Sequence, residues 1–129
     1  MKNKINIFWF RRDLRLNDNT GLYHALQAGL PVLPLFIFDS EILDKLEKRS
    51  DARVEFIHNS LLEIDKELKQ YNSSLLTLAG RPQDIWKKIL NEYDVSEVFT
   101  NHDYEPYAIK RDSEIKTYLN AHNTAFSTF

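Results

Sequence analysis

Five short apolar runs, each separated from the next by a stretch with helical spacing, constrain this chain more than any other feature. The runs are Ile5–Phe10, Val32–Phe38, Leu75–Leu78, Val95–Phe99 and Ala125–Phe129. Strands that are apolar on both sides must be covered on both sides, and a helical connection returns the chain to start the next strand parallel to the last. The pattern predicts an α/β fold: a doubly wound, five-stranded parallel sheet in the order 3-2-1-4-5, with right-handed crossovers and helices on both faces.

The intervening segments carry their own signals. Asp18 or Asn19 can cap a helix through Leu22, Ala25 and Leu26 that stops at Gly29. Pro34 lies inside the second run, where a missing ladder donor marks either the beginning of the strand or a bulge. Ile42, Leu43 and Leu46 predict a short helix ahead of a charged break at 47–51. Val54, Ile57, Leu61, Ile64 and Leu68 then recur at spacings of three and four, which predicts the longest helix, ending at Tyr71-Asn72-Ser73. Gly80 closes the third strand. Pro82 opens a helix whose apolar face is Ile85, Trp86, Ile89, Leu90 and Tyr93. A last helix is expected from Tyr104, carrying Ile115, Tyr118 and Leu119. The fifth run breaks off with the chain itself, as expected of a piece trimmed from a longer protein.

A chain of 129 residues suits one domain and is long enough to bury a core. Seventeen basic against nineteen acidic side chains give a net charge of −2, without the basic excess of a phosphate-binding surface. With no cysteine, disulfides and thiolate metal sites are excluded, in agreement with a reducing cytoplasm. Lys2 and Lys4 precede an apolar run too brief for a signal peptide or a membrane span. His24, His58, His102 and His122 show no metal-ligand spacing, and no metal is expected. His58 is expected to be structural, and Trp9 and Trp86 to be packing residues. Nucleophile elbow, phosphate loop and carboxylate-dyad motifs are missing.

In open α/β sheets ligands gather at the carboxyl ends of the strands. Three polar segments fall there: Arg11–Arg15, Asp39–Glu41 and Asn101–Tyr107. The first and last should converge, because the first and fourth strands are neighbours in the predicted order. Asn101-His102-Asp103-Tyr104-Glu105-Pro106-Tyr107 mixes donors, acceptors and aromatic faces, as a planar heteroaromatic ligand requires. Against this stands a purely structural alternative. Arg11, Arg12 and Arg15 can pair with Asp13, Asp103 or Asp112 to tie loops together, and Asp103 can cap the last helix.

The run from Phe8 through Arg11-Arg12-Asp13-Leu14-Arg15-Leu16 to Asp18-Asn19 resembles the amino-terminal signature of the DNA photolyase/cryptochrome family. Ala52-Arg53, Phe56 and Ser60-Leu61 resemble its long-helix signature. Asn101, Asp103–Tyr107 and Arg111-Asp112 resemble its fourth-strand signature. The resemblance implies that residues 1–129 form the family's Rossmann-like amino-terminal domain, which holds an antenna chromophore. It further implies a helical domain of the same parent chain that binds FAD and damaged DNA, and that this domain is absent here. Full-length relatives reverse pyrimidine dimers by light-driven electron transfer from reduced FAD, with the lesion flipped out of the duplex.

Carried over residue by residue, Arg11, Phe38, Asp39 and Asp103 are the expected antenna-binding positions, with Arg11 facing an anionic or carbonyl edge. Folate-binding relatives have a glutamate where Ala108 stands. A deazaflavin or flavin is therefore implied rather than a folate, or no antenna at all, as in some cryptochromes. The functions to separate are a dimer-repairing photolyase, a blue-light-sensing cryptochrome and a nucleotide-binding module without photochemistry. For the isolated chain, neither repair nor tight DNA binding is expected.

Overall fold

The computed structural model describes residues 3–11, 14–40 and 51–129, the first five residues of the last stretch by their backbone alone. Along the chain run β1 (Lys4–Phe10), α1 (Thr20–Gln27), β2 (Val32–Asp39), α2 (Asp51–Lys69), β3 (Leu76–Gly80), α3 (Pro82–Glu92), β4 (Asp94–Thr100), α4 (Pro106–Ala121) and β5 (Ala125–Thr128). The strands form one sheet in the order β3-β2-β1-β4-β5, every pairing parallel. The short helix expected around Ile42–Leu46 lies outside the described residues.

Two cores flank the sheet because successive strand residues point to opposite faces. Ile7, Trp9, Leu35, Ile37, Val95 and Val98 pack under Ile85, Trp86 and Ile89 of α3 and Ile115 and Leu119 of α4. Phe8, Phe10, Phe36 and Phe99 pack under Leu22 and Ala25 of α1 and Leu61, Ile64 and Leu68 of α2. Trp9 and Trp86 meet edge to face at 5.4 Å in the first core, so both are packing residues as expected. His58 is exposed on α2.

Local irregularities have physical causes. The β1–β4 register shifts between Ile5↔Val95 and Asn6↔Glu97, leaving Ser96 as an extra residue. That bulge lets Val95 and Val98 face the same core although they stand three apart. Pro34 pairs with Phe8 on one side, while β3 joins β2 only at Leu35↔Leu76, so the donor that Pro34 lacks has no ladder to complete there. Helices α2 and α4 both end with an asparagine in the left-handed region, Asn72 at φ 59° and Asn123 at φ 63°. The following N–H groups, of Ser73 and Thr124, bond back to Leu68 and Leu119, which satisfies carbonyls at the helix end. No helix among the described residues is long and apolar enough to cross a membrane.

Candidate functional site

The polar groups meet where the order of the sheet reverses, at the carboxyl ends of β1, β2 and β4. Arg11 follows β1 directly and turns toward α4. Its Nη1 donates to both carboxylate oxygens of Asp112 at 2.6 Å, its Nε to Thr100 Oγ1 at 2.9 Å and its Nη2 to the Asn101 carbonyl at 2.8 Å. Thr100 in turn donates to the Trp9 carbonyl at 2.8 Å. The first and fourth strand ends therefore converge as expected, and Asp112 is an acidic partner of Arg11.

A second pairing sits beside the first. Asp39, the last residue of β2, accepts from the Tyr107 hydroxyl at 2.7 Å and from Arg111 Nη1 at 3.4 Å. Arg111 Nε stands 3.6 Å from Asp112 Oδ1, and that buried nitrogen has no hydrogen-bond partner among the described residues. Both cations lie against Trp9, with Arg11 Cζ 4.9 Å and Arg111 Cζ 5.0 Å from its ring. Two arginines and two aspartates are thus concentrated at one strand end, all with side chains nearly out of solvent. Such a cluster is stable only while each charge keeps its partner, and an unpaired buried donor costs about 1–3 kcal/mol.

The four expected antenna positions do not share one face. Arg11 and Asp39 belong to the α4 side. Phe38, adjacent to Asp39 on β2, points to the other side and meets Phe36 edge to face at 4.9 Å. Asp103 lies on the connection from β4 to α4. It does not cap that helix: α4 begins at Pro106 rather than near Tyr104, and Glu105 at its N-cap makes no side-chain cap bond. Asp103 Oδ1 instead accepts from the Glu105 N–H at 3.0 Å, and the residue ahead of Pro106 is held extended at φ −65°, ψ 137°. Arg12, Asp13 and Glu41 lie outside the described residues, and Arg15 is exposed.

On the α1 side the same strand ends are closed by amides. Asn19 caps α1 by accepting from Leu22 N–H at 3.0 Å, and its Oδ1 also accepts from Asn101 Nδ2 at 2.7 Å. Asn101 Oδ1 accepts from Gly21 N–H at 2.7 Å. A Cβ on Gly21 would lie 2.8 Å from that oxygen and 2.9 Å from the Phe8 ring, so the first turn of α1 touches β1 and β4 only because residue 21 has no side chain.

Arg111 and Tyr107 carry more of this site than their spacing announced, although both fall within the motifs quoted above. A signal was available. Ala108, Arg111, Asp112, Ile115 and Leu119 are the buried positions of α4, and two charged residues in the phase of an apolar stripe mark a helix that buries ions. Among the described residues no group of three or more His, Asp or Glu side chains could hold a metal ion.

A family profile described as DNA photolyase matches residues 6–129. Over 113 residues the chain is 35% identical to a deoxyribodipyrimidine photo-lyase from Synechococcus sp., covering 88% of this chain and 23% of that protein. Over 114 residues it is 32% identical to cryptochrome-2 of Gallus gallus, covering 85% of this chain and 19% of that one. Its fold matches the crystal structure of an archaeal photolyase from Sulfolobus tokodaii with a TM-score of 0.88 and 36% identity, over 98% of this chain and 29% of that one. That structure holds two FAD molecules, with the implication of a novel light-harvesting cofactor. The chain spans less than a third of the length of each of these three relatives. Motifs, sheet order and these matches agree that the chain belongs to the DNA photolyase family.

Proposed function

We propose that residues 1–129 are the amino-terminal α/β domain of a deoxyribodipyrimidine photolyase and that they hold a light-harvesting chromophore. The observation that carries this is the joint agreement of sequence and fold, 36% identity at a TM-score of 0.88, with a photolyase whose second FAD suggests a light-harvesting cofactor. The residues at the strand ends suit such a group, since among the described residues a buried guanidinium nitrogen lacks an acceptor beside a buried carboxylate. The pigment is a flavin or deazaflavin, because Ala108 stands buried on α4 where folate-binding relatives have a glutamate. When bound, it supplies absorption of blue or near-ultraviolet light and passes the excitation to the FAD of the parent protein.

Each side chain has a distinct task. Phe38 would offer an aromatic wall from the α2 side and Asp39 a polar contact from the α4 side of the end of β2. Asp39, oriented by the Tyr107 hydroxyl, accepts from ring N–H groups. Asp103, held by its own turn, accepts at the rim. Arg11 forms the floor, its bonds to Asp112, Thr100 and Asn101 keeping β1 and β4 in register beneath the ring. Repair of pyrimidine dimers in damaged DNA belongs to a helical FAD-binding domain of the same parent, which also carries the phosphate contacts, in keeping with a net charge of only −2 here.

The test uses the longer protein that contains this chain. It should remove cyclobutane dimers from an irradiated oligonucleotide in blue light and not in the dark, and its absorption should include a band beyond that of FAD. Failure on every lesion with FAD intact would favour the cryptochrome alternative, which the 32% identity to the Gallus gallus protein supports.

A further inference from the structure

We infer that Arg111, rather than Arg11, is the cation that meets the carbonyl edge of the pigment, an inference that rests on the antenna function proposed above. The two arginines lie against Trp9 at nearly equal distances, 4.9 and 5.0 Å, yet they are employed differently. Arg11 donates to Asp112, Thr100 and Asn101 at 2.6–2.9 Å. Arg111 is equally withdrawn from solvent, at 8% exposure, but among the described residues it makes a single hydrogen bond, of 3.4 Å, and its Nε makes none. The Trp9 and Tyr107 rings, 5.0 and 5.6 Å from its Cζ, steady the guanidinium without using its N–H groups. Buried donors of native proteins are nearly always paired, so a guanidinium left this way has capacity for an acceptor that the described residues do not supply.

The neighbour of Arg111 narrows the class of that acceptor. Asp39 stands beside it, so the pair presents a donor next to an acceptor. A ring bearing an imide presents the complement, a carbonyl next to an N–H, and the pyrimidinedione ring of flavins and 5-deazaflavins carries that edge. Arg111 donates to the carbonyl while Asp39 accepts from the ring N–H. The oxo-pyrimidine ring of a pterin also carries a carbonyl next to a ring N–H, so the pair reads an edge that both ring classes share. The pair therefore selects a ring carbonyl flanked by an N–H and does not itself separate flavin, deazaflavin and pterin; the choice of pigment class rests on Ala108.

The experiment titrates the full chain with riboflavin, 5-deazariboflavin and folic acid, following pigment fluorescence, and records the ring carbonyl stretches by isotope-edited difference infrared spectroscopy. The bound ring should show a carbonyl stretch moved to lower frequency. Arg111→Lys keeps the positive charge beside Asp39 and Asp112 but loses the fork. It should weaken binding roughly tenfold or more and abolish the carbonyl shift, with far-ultraviolet circular dichroism unchanged. Equal affinity and an intact shift in R111K would overturn the assignment and leave the antenna function standing. An unshifted carbonyl in the wild-type complex would overturn it without any variant, whereas preference for folic acid would overturn the flavin-type pigment proposed above and leave the role of Arg111 to the carbonyl shift. If none of the three probes binds the wild-type chain, the antenna function itself fails and the assignment falls with it.

Discussion

The two faces of the sheet close the same strand ends by opposite means. On the α1 side Asn19 and Asn101 exchange hydrogen bonds with each other and with the first turn of the helix, all between neutral groups at 2.7–3.0 Å. On the α4 side the work is done by charges, Arg11 with Asp112 and Arg111 with Asp39, the first pair short and the second long. The neutral closure depends on close approach and the ionic one on balance. Removing one amide loses a local bond, whereas removing one charge strands its partner in a low-dielectric interior. The short pair ties β1 to α4, while the long pair, among the described residues, leaves a buried donor without a hydrogen bond, which is where the proposed binding role enters.

The largest expected effect comes from breaking the short pair. Arg11→Leu or Asp112→Leu alone should cost about 3–5 kcal/mol of unfolding free energy in urea, and the double variant clearly less than the sum of the two. A loss below about 1 kcal/mol for either single change would mean that the ionic closure is no more than a surface-type pair.

Crowding the neutral closure should do less harm. Gly21→Ala pushes a methyl to 2.8 Å from Asn101 Oδ1 and 2.9 Å from Phe8, and overpacking of this kind costs about 1–3 kcal/mol. If Gly21→Ala unfolds no earlier than wild type on heating, the close approach of α1 to β4 is not a constraint.

The smallest effect belongs to the α2–β3 connection on the α1 side. Asp65 accepts from the Leu75 N–H at 2.9 Å and pairs with Lys69 at 3.1 Å. The backbone bond first, then the lysine, holds its carboxyl below the ordinary value of 3.8. A carboxyl lowered by folding adds stability that is complete above the unfolded value and disappears as the pH falls through the folded one. Asp65→Asn should therefore cost less than about 1 kcal/mol at neutral pH, with the gap closing below about pH 4. A gap that is independent of pH would assign the effect to packing.

Much of the architecture was legible in the chain itself. Alternating apolar runs and amphipathic stretches implied the parallel sheet and its order, and the residues after β1 and β4 carry the family's signatures in the sequence alone. The finer misjudgements have particular causes. Helix α4 starts at Pro106 because Asp103 spends its side chain on a turn ahead of the helix instead of on the cap. Phe38 and Asp39 part company because neighbours in a strand point to opposite faces, a consequence of period two that was available from sequence.

By itself, then, the order of apolar and polar residues determined fold class, strand order and the rim at which polar groups collect, since burial and connection length act through the local pattern. Which aspartate takes which arginine was decided only by the folded chain. Arg11 and Asp112 are 101 residues apart, and Asp39 and Arg111 are 72 apart. Charges attract without regard to sequence distance, and several carboxylates were candidates for each cation. Only the packing of α4 across the ends of β1 and β2 brings one of them to 2.6 Å and leaves another at 3.4 Å.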